Sequence, residues 1–155
     1  MGAVEDRLNE LGLSLPAPRP PAGAYAPVVI DGSLAYVSGV VAIEEGKIAF
    51  PGVVGEDVDL EDAKRSARGA CLRSLSALAH AVGDLDRIER IVKVVGFVRS
   101  ASLFEELPGV LDGASELLID LFGEPGRSAR STVGVSALPR GASVEIEMIV
   151  RLRDS

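Results

Sequence analysis

Arg130 and Glu145 are the two side chains in this sequence whose types and spacing could act on one small molecule. An arginine fork holds a carboxylate in bidentate fashion, so a small acidic metabolite is the first ligand to consider. Both residues lie between Arg127 and Val150, a stretch that reads as two strands joined by a turn at Leu138, Pro139, Arg140 and Gly141. Alternation puts Val133, Val135 and Ala137 on the core face of the first strand, with Arg130, Thr132, Gly134 and Ser136 on the other. In the second strand Val144, Ile146, Met148 and Val150 face the core, and Glu145 and Glu147 face away.

Read as a hairpin, this stretch places Glu145 opposite residue 134 or 136. Arg130 then lies four to six residues along the strand, about 13–20 Å at the usual rise. One regular hairpin cannot clasp a small ligand between side chains that far apart. The spacing therefore predicts a site shared with a neighbouring subunit, or a bulged strand.

The elements that must position these residues follow from pattern. Val4, Leu8 and Leu11 have helical spacing within residues 4 to 13, and Pro16, Pro18, Pro20 and Pro21 then form an extended strap. Val28 to Val41 reads as a hairpin turning at Asp31-Gly32. Residues 42 to 58 form a Gly-rich acidic connection, with a short strand at Gly46, Lys47 and Ile48. Asp59 offers an N-cap for a helix running to about Val82, its stripe formed by Ala63, Ala67, Ala70, Cys71, Leu75, Leu78 and Val82, with Gly83 as the stop. Ile91 to Val98 is an apolar run suited to a central strand. Pro108 opens a second helix that turns Val110, Ala114, Leu117, Leu118 and Leu121 inward and ends at Gly123. The order β-β-α-β-α-β-β predicts one α+β domain over residues 1–155. A mixed sheet with both helices on one face leaves its other face to be covered.

Bulk properties narrow the partners. A net charge of −7 with no Trp, four Phe and two Tyr disfavours nucleic acid and anionic membranes. No apolar run approaches the roughly 20 residues of a membrane-spanning helix. One cysteine forms no internal disulfide, which fits a reducing cytoplasm. Cys71 belongs to a buried helical stripe, and His80, on the opposite face with Arg73 and Ser76, reads as exposed. One cysteine and one histidine so placed give no metal cluster, and no Gly-rich loop has phosphate-binding spacing, so no cofactor is expected.

The residues Ala129-Arg130-Ser131-Thr132-Val133, then Leu138-Pro139, then Val144-Glu145-Ile146-Glu147 resemble the C-terminal motif of the YjgF/RidA family of reactive-intermediate deaminases. The likeness extends through Gly23-Ala24-Tyr25, Val37-Ser38-Gly39 and Val92 to Val98, roughly residues 23 to 153. It implies a chorismate-mutase-like fold and a homotrimer with its sheets inward and ligand clefts between subunits. It also marks residues 1–22 as an extension ahead of the compact family core. By resemblance Arg130 would grip the substrate carboxylate and Glu145 would position or activate water. Ser38 and Gly39 would line the pocket, and Tyr25 matches a tyrosine at the cleft mouth or is simply an aromatic packed ahead of the first strand. Three positions depart from the pattern. Thr132 stands where many members have cysteine, Ser102 takes the approximate place of an asparagine, and Val40 replaces a residue that is often polar in deaminases. The resemblance implies hydrolysis of 2-imino acids, such as that formed from 2-aminoacrylate, to 2-keto acids and ammonia without metal or cofactor. The departures keep open a non-catalytic trimer that binds a small carboxylate. Ribonuclease activity, attached to some relatives, ranks last against the acidic charge.

Overall fold

The Asp59 carboxylate accepts a hydrogen bond from the Asp62 N–H at 2.8 Å and so caps helix α2 (Leu60–Val82). The predicted stripe of α2 is the buried one: Ala63, Ala67, Ala70, Cys71, Leu75 and Leu78 are fully inaccessible. Helix α3 (Leu107–Phe122), with Pro108 in its first turn, buries Val110, Ala114, Leu117, Leu118 and Leu121 beside it. The two helices come very close at Gly113, where an added Cβ would run into the Lys64 backbone oxygen. Burial pushes the Cys71 thiol up to about 12, so this group stays a neutral hydrophobe inside the core.

The computed structural model describes residues 2–154. Beneath the helices lies a five-stranded sheet in the order β1-β2-β7-β5-β6. Its strands are β1 (Val28–Asp31), β2 (Leu34–Val41), β5 (Ile88–Arg99), β6 (Ala129–Val135) and β7 (Val144–Leu152). A separate small hairpin joins β3 (Ile43–Glu44) to β4 (Lys47–Ile48). The β1–β2 hairpin forms as its Asp31-Gly32 signal predicts, with Asp31 paired to Leu34. Ile91, Val94 and Val98 of β5, with Ile146, Met148 and Val150 of β7, complete the core against the helices. No helix among the described residues is long and apolar enough to cross a membrane.

One predicted pairing is wrong. Strands β6 and β7 do not form a hairpin: β5 lies between them, parallel to β6 and antiparallel to β7. The reason is α3. A helix of 16 residues between β5 and β6 carries the chain back to the start of β5, which makes the next strand parallel to it. The turn at Pro139–Gly141, with Arg140 in the left-handed region at φ 57°, then leads past β5 to the strand on its far side.

The N-terminal segment packs on the helix side. Helix α1 (Ala3–Glu10) buries Val4 and Leu8, and the Asp86 carboxylate accepts hydrogen bonds from the Ala3 and Val4 N–H groups. The strap crosses α2, where Ser76 Oγ donates to the Pro16 carbonyl at 2.6 Å. Ser76 is therefore buried, whereas His80 one turn later is exposed.

Candidate functional site

Cross-strand pairing decides which side chains can meet. Arg130 pairs with Val94, and Thr132 with Gly96, whose added Cβ would strike Leu111 of α3. Arg130 and Thr132 therefore point toward the helices. Glu145 pairs with Phe97 and Val41, and Glu147 with Val95, on the opposite side. Arg130 and Glu145 thus lie on opposite faces of the sheet, not on one polar face as a hairpin would require. They are three residues apart along β5 and two strands apart across it, roughly 10 Å in each direction. No ligand of metabolite size reaches both within one copy of the chain. The expected faces of β6 are also exchanged, with Val133 43% exposed on the open side. Edge strand β6 runs along the rim of α3, where polar partners accommodate an arginine, so its aliphatic residues turn the other way.

Those partners hold Arg130 firmly. Nη1 donates to Asp112 Oδ1 at 2.7 Å and to Ser115 Oγ at 3.1 Å, and Nη2 donates to the Pro108 carbonyl at 3.2 Å. The fork keeps an Nε–H and one Nη2–H for another acceptor. Its side chain is 24% exposed, so those donors remain within reach of solvent.

On the other face, β2 bulges where it passes β7. Val37 pairs with Met148 and Val40 with Ile146, leaving Ser38 and Gly39 together opposite Glu147. The Ser38 hydroxyl donates to the Ala26 carbonyl at 2.6 Å, and the Ser38 N–H donates to the Pro27 carbonyl at 2.9 Å. These bonds staple the segment carrying Tyr25 onto the bulge. Gly39 lies under the Glu145 carboxylate, and a Cβ there would collide with Oε1. Burial, reinforced by the like charge of Glu147, raises the proton affinity of the half-buried Glu145 above the ordinary carboxylate range. At the foot of β7 a buried hydrogen bond of 3.0 Å from Ser143 Oγ to Ser66 Oγ ties this end of the strand to α2.

The sequence-derived residues therefore form separate groups. Tyr25, Ser38, Gly39 and Glu145 are connected through the bulge. Arg130 and Thr132 stand on the other face, and Ser102 sits exposed in the turn after β5. Val40 pairs with Ile146 and points to the helix side, so its missing polar group does not alter the surroundings of Glu145. Sequence reasoning overlooked Arg99. It shares the open face with Val95 and Phe97, and its buried Nε has no partner. Its alternation with those two residues along β5 was the available signal.

The open face mixes apolar residues with Lys93, Glu147 and Arg99 and is uncovered among the described residues. Val29 and Tyr36 are 52% and 41% exposed, and a shallow depression of about 220 Å3 lies between Tyr36, Lys93, Glu147 and Ile149, adjoining Ser38.

Residues 5–150 match the family model described as "YjgF/chorismate_mutase-like, putative endoribonuclease". Protein TCP17 of Trypanosoma cruzi is 38% identical over 154 residues, covering 99% of this chain and 96% of its own. A 2-iminobutanoate/2-iminopropanoate deaminase of Dermatophagoides farinae is 30% identical over 138 residues, covering 89% of this chain and 93% of its own. The crystal structure of Atu1372 from Agrobacterium tumefaciens, a protein of unknown function, superposes with a TM-score of 0.91 at 45% identity, covering 97% of this chain and 93% of that one. In sequence and in its α+β chorismate-mutase-like architecture, the chain belongs to the YjgF/RidA family.

Proposed function

We propose that this protein is a cofactor-free deaminase that hydrolyses 2-imino acids, formed by tautomerisation of enamines such as 2-aminoacrylate, to 2-keto acids and ammonia. The observation that carries the proposal is Glu145 laid over Gly39, half-buried, with its proton affinity raised. A carboxylate so tuned takes a proton from water closer to neutral pH than a solvated glutamate would.

The reaction needs little else. Water adds to the imine carbon while its proton passes to Glu145, giving a carbinolamine. Glu145 returns that proton to nitrogen, then takes the carbinolamine hydroxyl proton and passes it to nitrogen as the C–N bond breaks, releasing ammonia and the 2-keto acid. Hydrolysis also proceeds in free water, so orientation and modest electrostatics are sufficient. The substrate carboxylate would take the Nε–H and the free Nη2–H of Arg130, with Thr132 beside it. Ser38 and Gly39 would line the Glu145 side, Tyr25 would stand at the cleft mouth beyond the edge of β1 and β2, and Ser102 would close the cleft from the turn after β5.

Arg130 and Glu145 occupy opposite faces, so the cleft would form between copies, with the β6 edge of one set against the open face of the next. A homotrimer with its sheets inward satisfies this arrangement. It also covers Val29, Tyr36 and Val133, which are exposed in the single chain. The deaminase relative supports the substrate class.

A second reading, a trimer that binds a keto acid without turnover, is favoured by the occupied state of Arg130, two of whose nitrogens are already committed to α3. A coupled assay separates the two. A pyridoxal-phosphate dehydratase supplies 2-aminoacrylate from serine, and keto-acid release is followed with the wild type, Arg130→Ala and Glu145→Gln. Acceleration by the wild type alone supports the deaminase. Arg130-dependent keto-acid binding without acceleration supports the binding trimer, and neither effect removes both readings.

A further inference from the structure

A cavity of about 260 Å3 lies under the strap, on the helix side of β1 and β2 and across the sheet from Glu145. Its floor is α2, its outer wall is the run from Ala17 to Pro21, and Tyr25 stands at one end. Most of the lining is proline, alanine and valine. Its charged or titratable side chains beyond Tyr25 are Arg19, Arg73 and His80, and no carboxylate lines it among the described residues.

Arg73 is the informative member. Its Nε is buried without a hydrogen-bond partner among the described residues, so the guanidinium is not held by a protein acceptor at that atom. Burial, then the positive charge of Arg19, lowers the proton affinity of its guanidinium, so the two cations repel across the cavity. A single anion between them would accept from the terminal Nη–H groups of the two guanidiniums and neutralise the repulsion. The apolar remainder of the lining offers nothing to a second charge or to a sugar.

We infer that the strap cavity is a binding site for a small apolar monocarboxylate, its carboxylate between Arg19 and Arg73 and its hydrocarbon body against the prolines and Val40. The site is independent of the reaction proposed above. It is built from the strap and α2, and it shares only Tyr25 with the Glu145 group. Its size suits a body of a few carbons or one aromatic ring.

His80 is the only histidine in the chain, so its imidazole Cε1–H gives one unambiguous proton NMR signal at the cavity wall. Benzoate is the probe, and benzamide, its uncharged near-isostere, is the control. The expected result is a saturable shift of the His80 signal with benzoate and none with benzamide. Affinity should fall at least tenfold in both Arg73→Gln and Arg19→Gln and stay unchanged in Arg130→Met. Arg19 is exposed on the strap, so its variant reports on the anion even if Arg73→Gln loosens the packing. The inference is overturned by no saturable shift up to the solubility of benzoate, by equal binding of benzamide, by wild-type affinity in Arg19→Gln, or by loss of the shift in Arg130→Met.

Discussion

Gly39→Ala separates position from fold at the proposed catalytic carboxylate. The new Cβ would collide with Glu145 Oε1 and lie 3.0 Å from its Cδ and 3.3 Å from its Cγ. Gly39 is not among the glycines with positive φ, so alanine takes up the same backbone without strain. The obstacle is the far end of a flexible side chain, which can swing aside at a cost of about 0.5–1.5 kcal/mol. For a chain of this size that lowers Tm by at most ~6 °C. Catalysis is far less tolerant. A positioned acid–base group contributes about 100- to 10,000-fold, and a displacement of ~1 Å costs roughly 100-fold. Gly39→Ala should therefore keep a cooperative melt within ~6 °C of wild type, measured by calorimetry, while kcat for imine hydrolysis falls about 100-fold. Glu145→Gln should lose at least as much, and the double variant no more than Glu145→Gln, because both act through one group. Retained kcat in Gly39→Ala, or losses that multiply in the double variant, would refute the reasoning. Loss of the folded state would show instead that Gly39 is required by packing.

Three further outcomes are expected. Glu145→Gln should raise Tm near neutral pH. A folded-state pKa lifted by burial gives stability that is complete below the unfolded value and lost as pH rises through the folded one, so the ionised form is a cost that glutamine removes; calorimetry should find the gain gone below about pH 4. Arg130→Met breaks a partly exposed ion pair worth about 0–1 kcal/mol, so Tm should fall by no more than ~4 °C, yet titration calorimetry should show 2-oxobutanoate binding about tenfold weaker or worse. Tyr36→Glu, placing a charge opposite Ile149 in the open face, should convert the proposed trimer to monomer in sedimentation, and a wild type that is itself monomeric would remove the shared cleft.

The two helices were legible in the sequence because each carries its own evidence. Asp59 announces the start of α2, an apolar stripe at helical spacing defines its buried face, and Pro108 and Gly123 bracket α3. The β1–β2 hairpin was legible for the same reason, since its turn and both strands are local. Pairing between β5, β6 and β7 was not. Alternation in β6 specifies a strand without naming its neighbour, and a turn at Pro139–Gly141 suits a hairpin or a step past an intervening strand. The direction of Arg130 was hidden too. Ser131, Thr132 and Gly134 give β6 almost no contrast between its faces, and the acceptors that hold the guanidinium come from another element, at Asp112 and Ser115. Glu145 was placed correctly because the aliphatic residues of β7 are strong enough to fix its face unaided. The strap cavity left no local trace, since Arg19 and Arg73 meet only when the chain folds back over α2.

The strap and α1 also impose an order in time on the protein. The hydrogen bond from Ala3 N–H to Asp86 spans 83 residues, and that from Arg7 Nε to the Asp120 carbonyl spans 113. During synthesis α1 leaves the ribosome ahead of α3, and Asp120 follows Arg7 by roughly 6 to 23 seconds at ordinary elongation rates. Val4 and Leu8 lack the α3 part of their cover for that interval, and the net charge near them is acidic, with Glu5, Asp6 and Glu10 in the same helix. Those carboxylates give the nascent segment mutual repulsion while its apolar face waits for α3.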